Sequence, residues 1–102
     1  MTAVGSYLPA NVVSNEALSG RVDTDDAWIR RRTGIGQRHI VAVGETTADL
    51  ATAAANAALT NGALGAIDID LIIVATTTPD NTFPSTATKV QYMIGAKGAI
   101  AF

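Results

Sequence analysis

Thr24, Trp28 and Arg32 are spaced i, i+4 and i+8. On a helix that spacing puts a hydroxyl, a flat indole and a guanidinium in one row. Such a row suits an aromatic heterocycle that carries phosphate. The indole stacks on the ring, the hydroxyl meets its polar edge, and the guanidinium pairs with phosphate. A plainer reading fits the same spacing: Trp28 anchors a core, Thr24 only caps the helix, and Arg30–Arg32 form a solvated face. Spacing alone favours the plainer reading, because Trp is largely buried in most folds.

Other reactive residue types are present in weaker patterns. Asp23, Asp25 and Asp26 could hold a metal or exchange protons, but acids there suit the first turn of a helix, where the dipole favours them. His39 stands beside Arg38 in an extended segment and reads as structural. Neither Gly5-Ser6-Tyr7 nor Pro84-Ser85-Thr86 matches a Gly-x-Ser-x-Gly nucleophile elbow. Gly34-Ile35-Gly36 lacks the third glycine of a phosphate-binding loop. Phe83 lies in a polar loop, and either a tuck into its own domain or insertion into a partner fits it. There is no cysteine, which excludes a disulfide, a thiolate nucleophile and Cys-ligated metal within these residues.

The bulk composition narrows the classes. The 102 residues are 48% hydrophobic and 16% charged, with net charge −2. A soluble domain is typically about 25% charged, so the apolar excess points to faces meant for further protein. The acidic balance argues against nucleic acid as a partner. No run approaches the roughly 18 apolar residues of a membrane span, and no signal region follows Met1. The expected location is cytoplasmic, and no metal site is expected.

The elements that must position these residues follow from caps and periodicity. Met1–Val4 reads as half a strand entering a Gly5-Ser6 turn. Residues 14–18 suit one helical turn stopped by Gly20. Thr24 is expected to cap a helix over 25–32, with Asp25 and Asp26 at its start, Arg30–Arg32 at its end and Gly34 as its stop. Residues 36–44 read as an extended connection. Thr46 and Asp49 form a capping box for a helix from 47 to about 61. Its expected apolar face is Leu50, Ala54, Ala57 and Ala58, small enough for close packing. The run 71–75 reads as a strand buried on both faces, as in a parallel sheet, with a ligand-type loop after it. A helix opened by Pro84-Ser85-Thr86, with Val90, Met93 and Ile94 on one face, ends at Gly95. Strand 98–102 should lie beside strand 70–76. The resulting order, β-α-α-β-α-β, is α/β. The half-strand at the front and the apolar run 98–102 suggest a piece of a larger domain.

Several of these segments together resemble β-ketoacyl-acyl-carrier-protein synthase III. They are Gly5-Ser6-Tyr7-Leu8-Pro9, Asp23 through Ile29, Arg32 through Ile35 with Arg38-His39, Val74 through Thr77, and Phe83-Pro84-Ser85. The similarity covers essentially the whole chain and is most specific from Trp28 to Ile35. Ala27, where the family usually has an acid, and Gly36-Gln37, where a charged pair is common, depart from the pattern. The resemblance implies a thiolase-like fold, with residues 1–102 an incomplete part of the amino-terminal half of the layered α-β-α-β-α architecture and no second domain. It implies a homodimeric acyltransferase that condenses an acyl-CoA primer with malonyl-acyl-carrier protein to start fatty-acid synthesis, with acyl-CoA as substrate and no permanently bound cofactor. It further implies that Trp28 stacks the CoA adenine, Thr24 meets its edge, Arg32 contacts the nucleotide end, and Phe83 reaches the partner's acyl pocket. The family's nucleophilic Cys and its His and Asn are absent, so no catalytic residue is expected here. The competing readings are a stand-alone CoA-binding or subunit-binding module, and a related enzyme of hydroxymethylglutaryl-CoA synthase or polyketide-starter type.

Overall fold

The computed structural model describes residues 1–102. In chain order the elements are β1 (Asn11–Ser14), α1 (Asn15–Ser19), α2 (Asp26–Thr33), β2 (Gln37–Ile40), α3 (Thr47–Asn61), a 3-10 turn (Ala66–Asp68), β3 (Leu71–Ile72), α4 (Thr86–Ile94) and β4 (Ile100–Ala101). The fold is α/β, as expected. No helix is long and apolar enough to cross a membrane. The chain forms two units, one of Leu8–Val43 and one of Met1–Tyr7 with Gly44–Phe102.

In the Leu8–Val43 unit, β1 and β2 pair antiparallel, with Val12 opposite His39 and Val13 opposite Arg38. This pair was not expected. Residues 36–44 read only as an extended connection, and no strand was anticipated at 11–14. The reason is composition: Gln37-Arg38-His39-Ile40 is mostly polar, so neither strand carries a strong apolar alternation. The half-strand expected at Met1–Val4 does not form. The Val4 carbonyl accepts instead from the Asn61 side-chain Nδ2 at 2.9 Å. The core of this unit is Val13, Ile29 and, unusually, the amide of Asn15.

In the other unit the expected capping box forms. Thr46 Oγ1 accepts from the Asp49 backbone N–H at 3.2 Å, and Asp49 Oδ2 accepts from the Thr46 N–H at 2.9 Å. Those bonds satisfy amides that no helical carbonyl can reach. Small residues on α3 have a clear purpose. A Cβ on Gly5 would lie 2.6 Å from the Ala54 carbonyl oxygen and 2.7 Å from the Ala57 carbonyl carbon. Gly5 therefore serves close approach of its backbone to α3, and no turn forms at Gly5-Ser6. The deepest α3 positions are Ala48 and Thr52; Leu50, Ala54, Ala57 and Ala58 are half-buried.

Ser85 caps α4, accepting from the Thr88 N–H, and Gly95 ends it at φ 80. The buried face is Thr86, Ala87 and Val90. Met93, expected on that face, is exposed. Strands β3 and β4 pair in parallel with α4 between them, Leu71 opposite Ile100. Bonds from Ile100 N to Asp70 O, Phe102 N to Ile72 O and Val74 N to Phe102 O extend the pairing beyond the labelled residues. The expected burial on both faces is not seen. Ile72 and Val74 are half-buried, whereas Leu71 and Ile73 are 50% and 71% exposed. Alternate residues of a strand face opposite sides, and this chain covers one of them.

Candidate functional site

Helix α2 begins at a cap one residue later than the sequence suggests. Asp25 is extended, at φ −142 and ψ 163, and its Oδ1 accepts from the Trp28 N–H at 2.7 Å. Thr24 precedes the cap and is not on the helix, so the three-residue row does not form as a helical face. At the other end Gly34 takes the left-handed conformation, φ 73, and donates to the Arg30 carbonyl at 2.8 Å. A residue with a Cβ is strained at that φ.

Trp28 is 46% exposed, so it is not a core anchor of this unit. Ile29, 8% exposed, anchors the helix instead. The Arg32 guanidinium lies 5.2 Å from the Trp28 ring centroid, within cation–π range. Trp28 and Thr24 line a common cleft of about 280 Å³ with Asp23 and Asp25. Thr24 Oγ1 is buried and makes no hydrogen bond within the protein. The structure thus joins Thr24 to Trp28 across a cleft and Arg32 to Trp28 by a stack. What results is an aromatic face, a cation over it and a hydroxyl with unused hydrogen-bonding capacity.

The remaining candidates have structural partners. Asp26 Oδ1 accepts from Asn15 Nδ2 at 2.7 Å and from Arg30 Nε at 2.7 Å. The Asn15 bond holds the Asp26 carboxyl below the usual carboxylate range; partial burial opposes this and Arg30 adds to it. His39 Nδ1 lies 2.6 Å from the Pro9 carbonyl oxygen. A carbonyl only accepts, so Nδ1 carries the proton and the ring ties the chain before β1 to β2. Ser85 is a cap.

Phe83 is 86% exposed. Its loop is fastened nearby by Asp80, whose Oδ1 accepts from the Thr47 N–H at 2.9 Å, at the start of α3. The Asp80 side chain is 8% exposed, and Lys89 Nζ lies 3.5 Å from its Oδ2. Lys89 also donates to Asn81 Oδ1 at 2.5 Å. Sequence reasoning missed Asp80 and Asn15. An Asp between Pro79 and Asn81 carries only a turn signal, and nothing local marks a partner more than thirty residues away.

No family model matches the chain. Relatives do. It is 60% identical over 99 residues to the β-ketoacyl-[acyl-carrier-protein] synthase III of Rhodospirillum rubrum, an alignment covering 96% of this chain and 31% of that protein. It is 55% identical over 102 residues to the protein of the same name from Dinoroseobacter shibae, covering 100% and 32%. Among solved structures, the 3-oxoacyl-[acyl-carrier-protein] synthase III of Aquifex aeolicus superposes with a TM-score of 0.91 at 48% identity, covering 99% of this chain and 32% of that one. The priming β-ketosynthase of the R1128 polyketide pathway superposes at 0.92 with 34% identity, covering 99% and 30%. The chain therefore spans about a third of the length of the relatives it matches.

Proposed function

We propose that the chain works as a segment of a condensing enzyme of the β-ketoacyl-acyl-carrier-protein synthase III family, of thiolase-like fold. In that reading α2 receives the nucleotide end of an acyl-CoA primer. The acyl group is then joined to malonyl-acyl-carrier protein, with loss of carbon dioxide, to begin fatty-acid synthesis. The single observation that carries the binding role is the exposed Trp28 face with Arg32 held 5.2 Å above its ring. An indole left half-exposed on a well-capped helix gains by stacking on a flat heterocycle, and each stacked base is worth about 1–3 kcal/mol. Thr24 lines the same cleft as Trp28 and is the residue proposed to meet the heterocycle's edge. Arg32 supplies charge for a phosphate.

The whole enzyme is proposed to act as a cytoplasmic homodimer, with Phe83 closing the partner's acyl pocket. High exposure of a large ring, 86%, supports an intermolecular role. A thiolate attack needs a thiol, and these 102 residues contain none; the nucleophile must come from elsewhere in the enzyme. Identity of 55–60% to synthase III proteins supports the fatty-acid reading. The test is condensation of acyl-CoA with malonyl-acyl-carrier protein. The full-length protein should form the β-ketoacyl product, and the 102-residue chain alone should not. Product formation by the chain alone, or none by the full-length protein, would refute the proposal.

A further inference from the structure

Asn15 is 0% exposed, and burial of an amide is costly unless its polar atoms are bonded. Here they are. Nδ2 donates to Asp26 Oδ1 at 2.7 Å and to the Ile35 carbonyl at 2.8 Å. Oδ1 accepts from Arg38 Nη2 at 2.5 Å. The backbone N–H donates to the Gly36 carbonyl at 3.1 Å. Asp26 is the first residue of α2, and Ile35 lies two residues past its last. One buried amide therefore holds both ends of the helix. Arg38 Nη1, donating to the Val13 carbonyl at 3.2 Å, ties the same hub to β1.

Trp28 stands two residues inside the first anchor and Arg32 three residues before the second. We infer that Asn15 is a positioning residue for the nucleotide end of acyl-CoA: it fixes α2 so that the Trp28–Arg32 stack is preformed. The inference rests on the CoA reading above. A face ordered before binding loses less freedom when the ligand arrives. Asn15 itself, being fully buried, touches no ligand.

The test is a thermodynamic cycle in the full-length enzyme with CoA as the titrant. Asn15→Ala should raise the Kd for CoA by roughly 3- to 10-fold, in the range of couplings between residues of one network. In a Trp28→Ala/Arg32→Ala background the same change should cost less than twofold, because the stack it positions is gone. Affinity for acyl-pantetheine should not move. A CoA Kd unchanged by Asn15→Ala, an equal loss in both backgrounds, or a parallel loss for acyl-pantetheine would overturn the positioning role. If Asn15→Ala does not fold, Asp26→Ala, which cuts the half-exposed end of the same link, decides by the same criteria. If Trp28→Ala itself leaves CoA binding intact, the CoA reading fails and takes this inference with it. If Trp28→Ala weakens binding and Asn15→Ala does not, only the inference fails.

Discussion

Arg32 lies over the indole of Trp28, 5.2 Å from its centroid, on a helix whose core side belongs to the neighbouring Ile29. The chain spends Ile29 on stability and leaves its one tryptophan available. That division separates an exposed aromatic face from a packing face along a helix of eight residues.

Gly5→Ala should destabilise the protein by about 1–3 kcal/mol, the usual cost of overpacking a tight contact. The added methyl would lie 2.6 Å from the Ala54 oxygen, which is backbone and cannot swing away. Urea unfolding measures it. A stability unchanged within a few tenths of a kcal/mol would show that the front segment does not sit against α3.

Stability should fall in acid, partly through Asp26. Its folded pKa lies below the reference value of 3.8 because the Asn15 amide, and then Arg30, favour the carboxylate. A lowered folded pKa means the unfolded chain takes up the proton first as pH drops. The contribution is present above about pH 4 and is lost as pH falls through the folded pKa. Asp26→Asn should flatten this part of the stability profile, and an unchanged acid slope would contradict it.

Most of the helical architecture is legible in the sequence because caps are local. Thr46 with Asp49, Gly34 and Gly95 act within a few residues, and each stands where a helix end is expected, while Ser85 caps the helix that Pro84-Ser85-Thr86 was expected to open. The parallel β3–β4 pair is legible from an apolar run on each side of a helix. What was not legible depends on distant partners. The cap of α2 falls one residue past Thr24, because Asp25, an equally good capping type, accepts from the Trp28 N–H. The β1–β2 pair and the Asn15 hub rest on residues meeting across eleven or more positions, which no periodicity announces. Trp28 was ambiguous for a related reason: burial depends on what faces the helix, and only the fold shows that Ile29 takes the inner side.

On the proposed dimeric assembly, Phe83→Thr in the full-length enzyme should shift preference toward longer acyl-CoA primers. An acyl chain gains about 0.8 kcal/mol per buried methylene only where there is room, and on the proposed role the ring occupies that room. The ratio of kcat/KM for a medium-chain primer to that for acetyl-CoA should rise. An unchanged ratio with an intact dimer would remove Phe83 from the acyl pocket.

Arg32→Ala should weaken binding of CoA esters, and by more at low ionic strength than at high. A partly exposed guanidinium acting on phosphate is screened by salt. A loss independent of salt would instead mark Arg32 as support for the indole ring.

The most direct test of the proposed site is Trp28→Ala in the full-length enzyme, titrated in parallel with an acyl-CoA and the matching acyl-pantetheine, which lacks the nucleotide. The account predicts a loss of roughly 1–3 kcal/mol for acyl-CoA, the range for removing a base-stacking aromatic, and almost none for acyl-pantetheine. An equal loss for the two esters, or no loss for either, would contradict it.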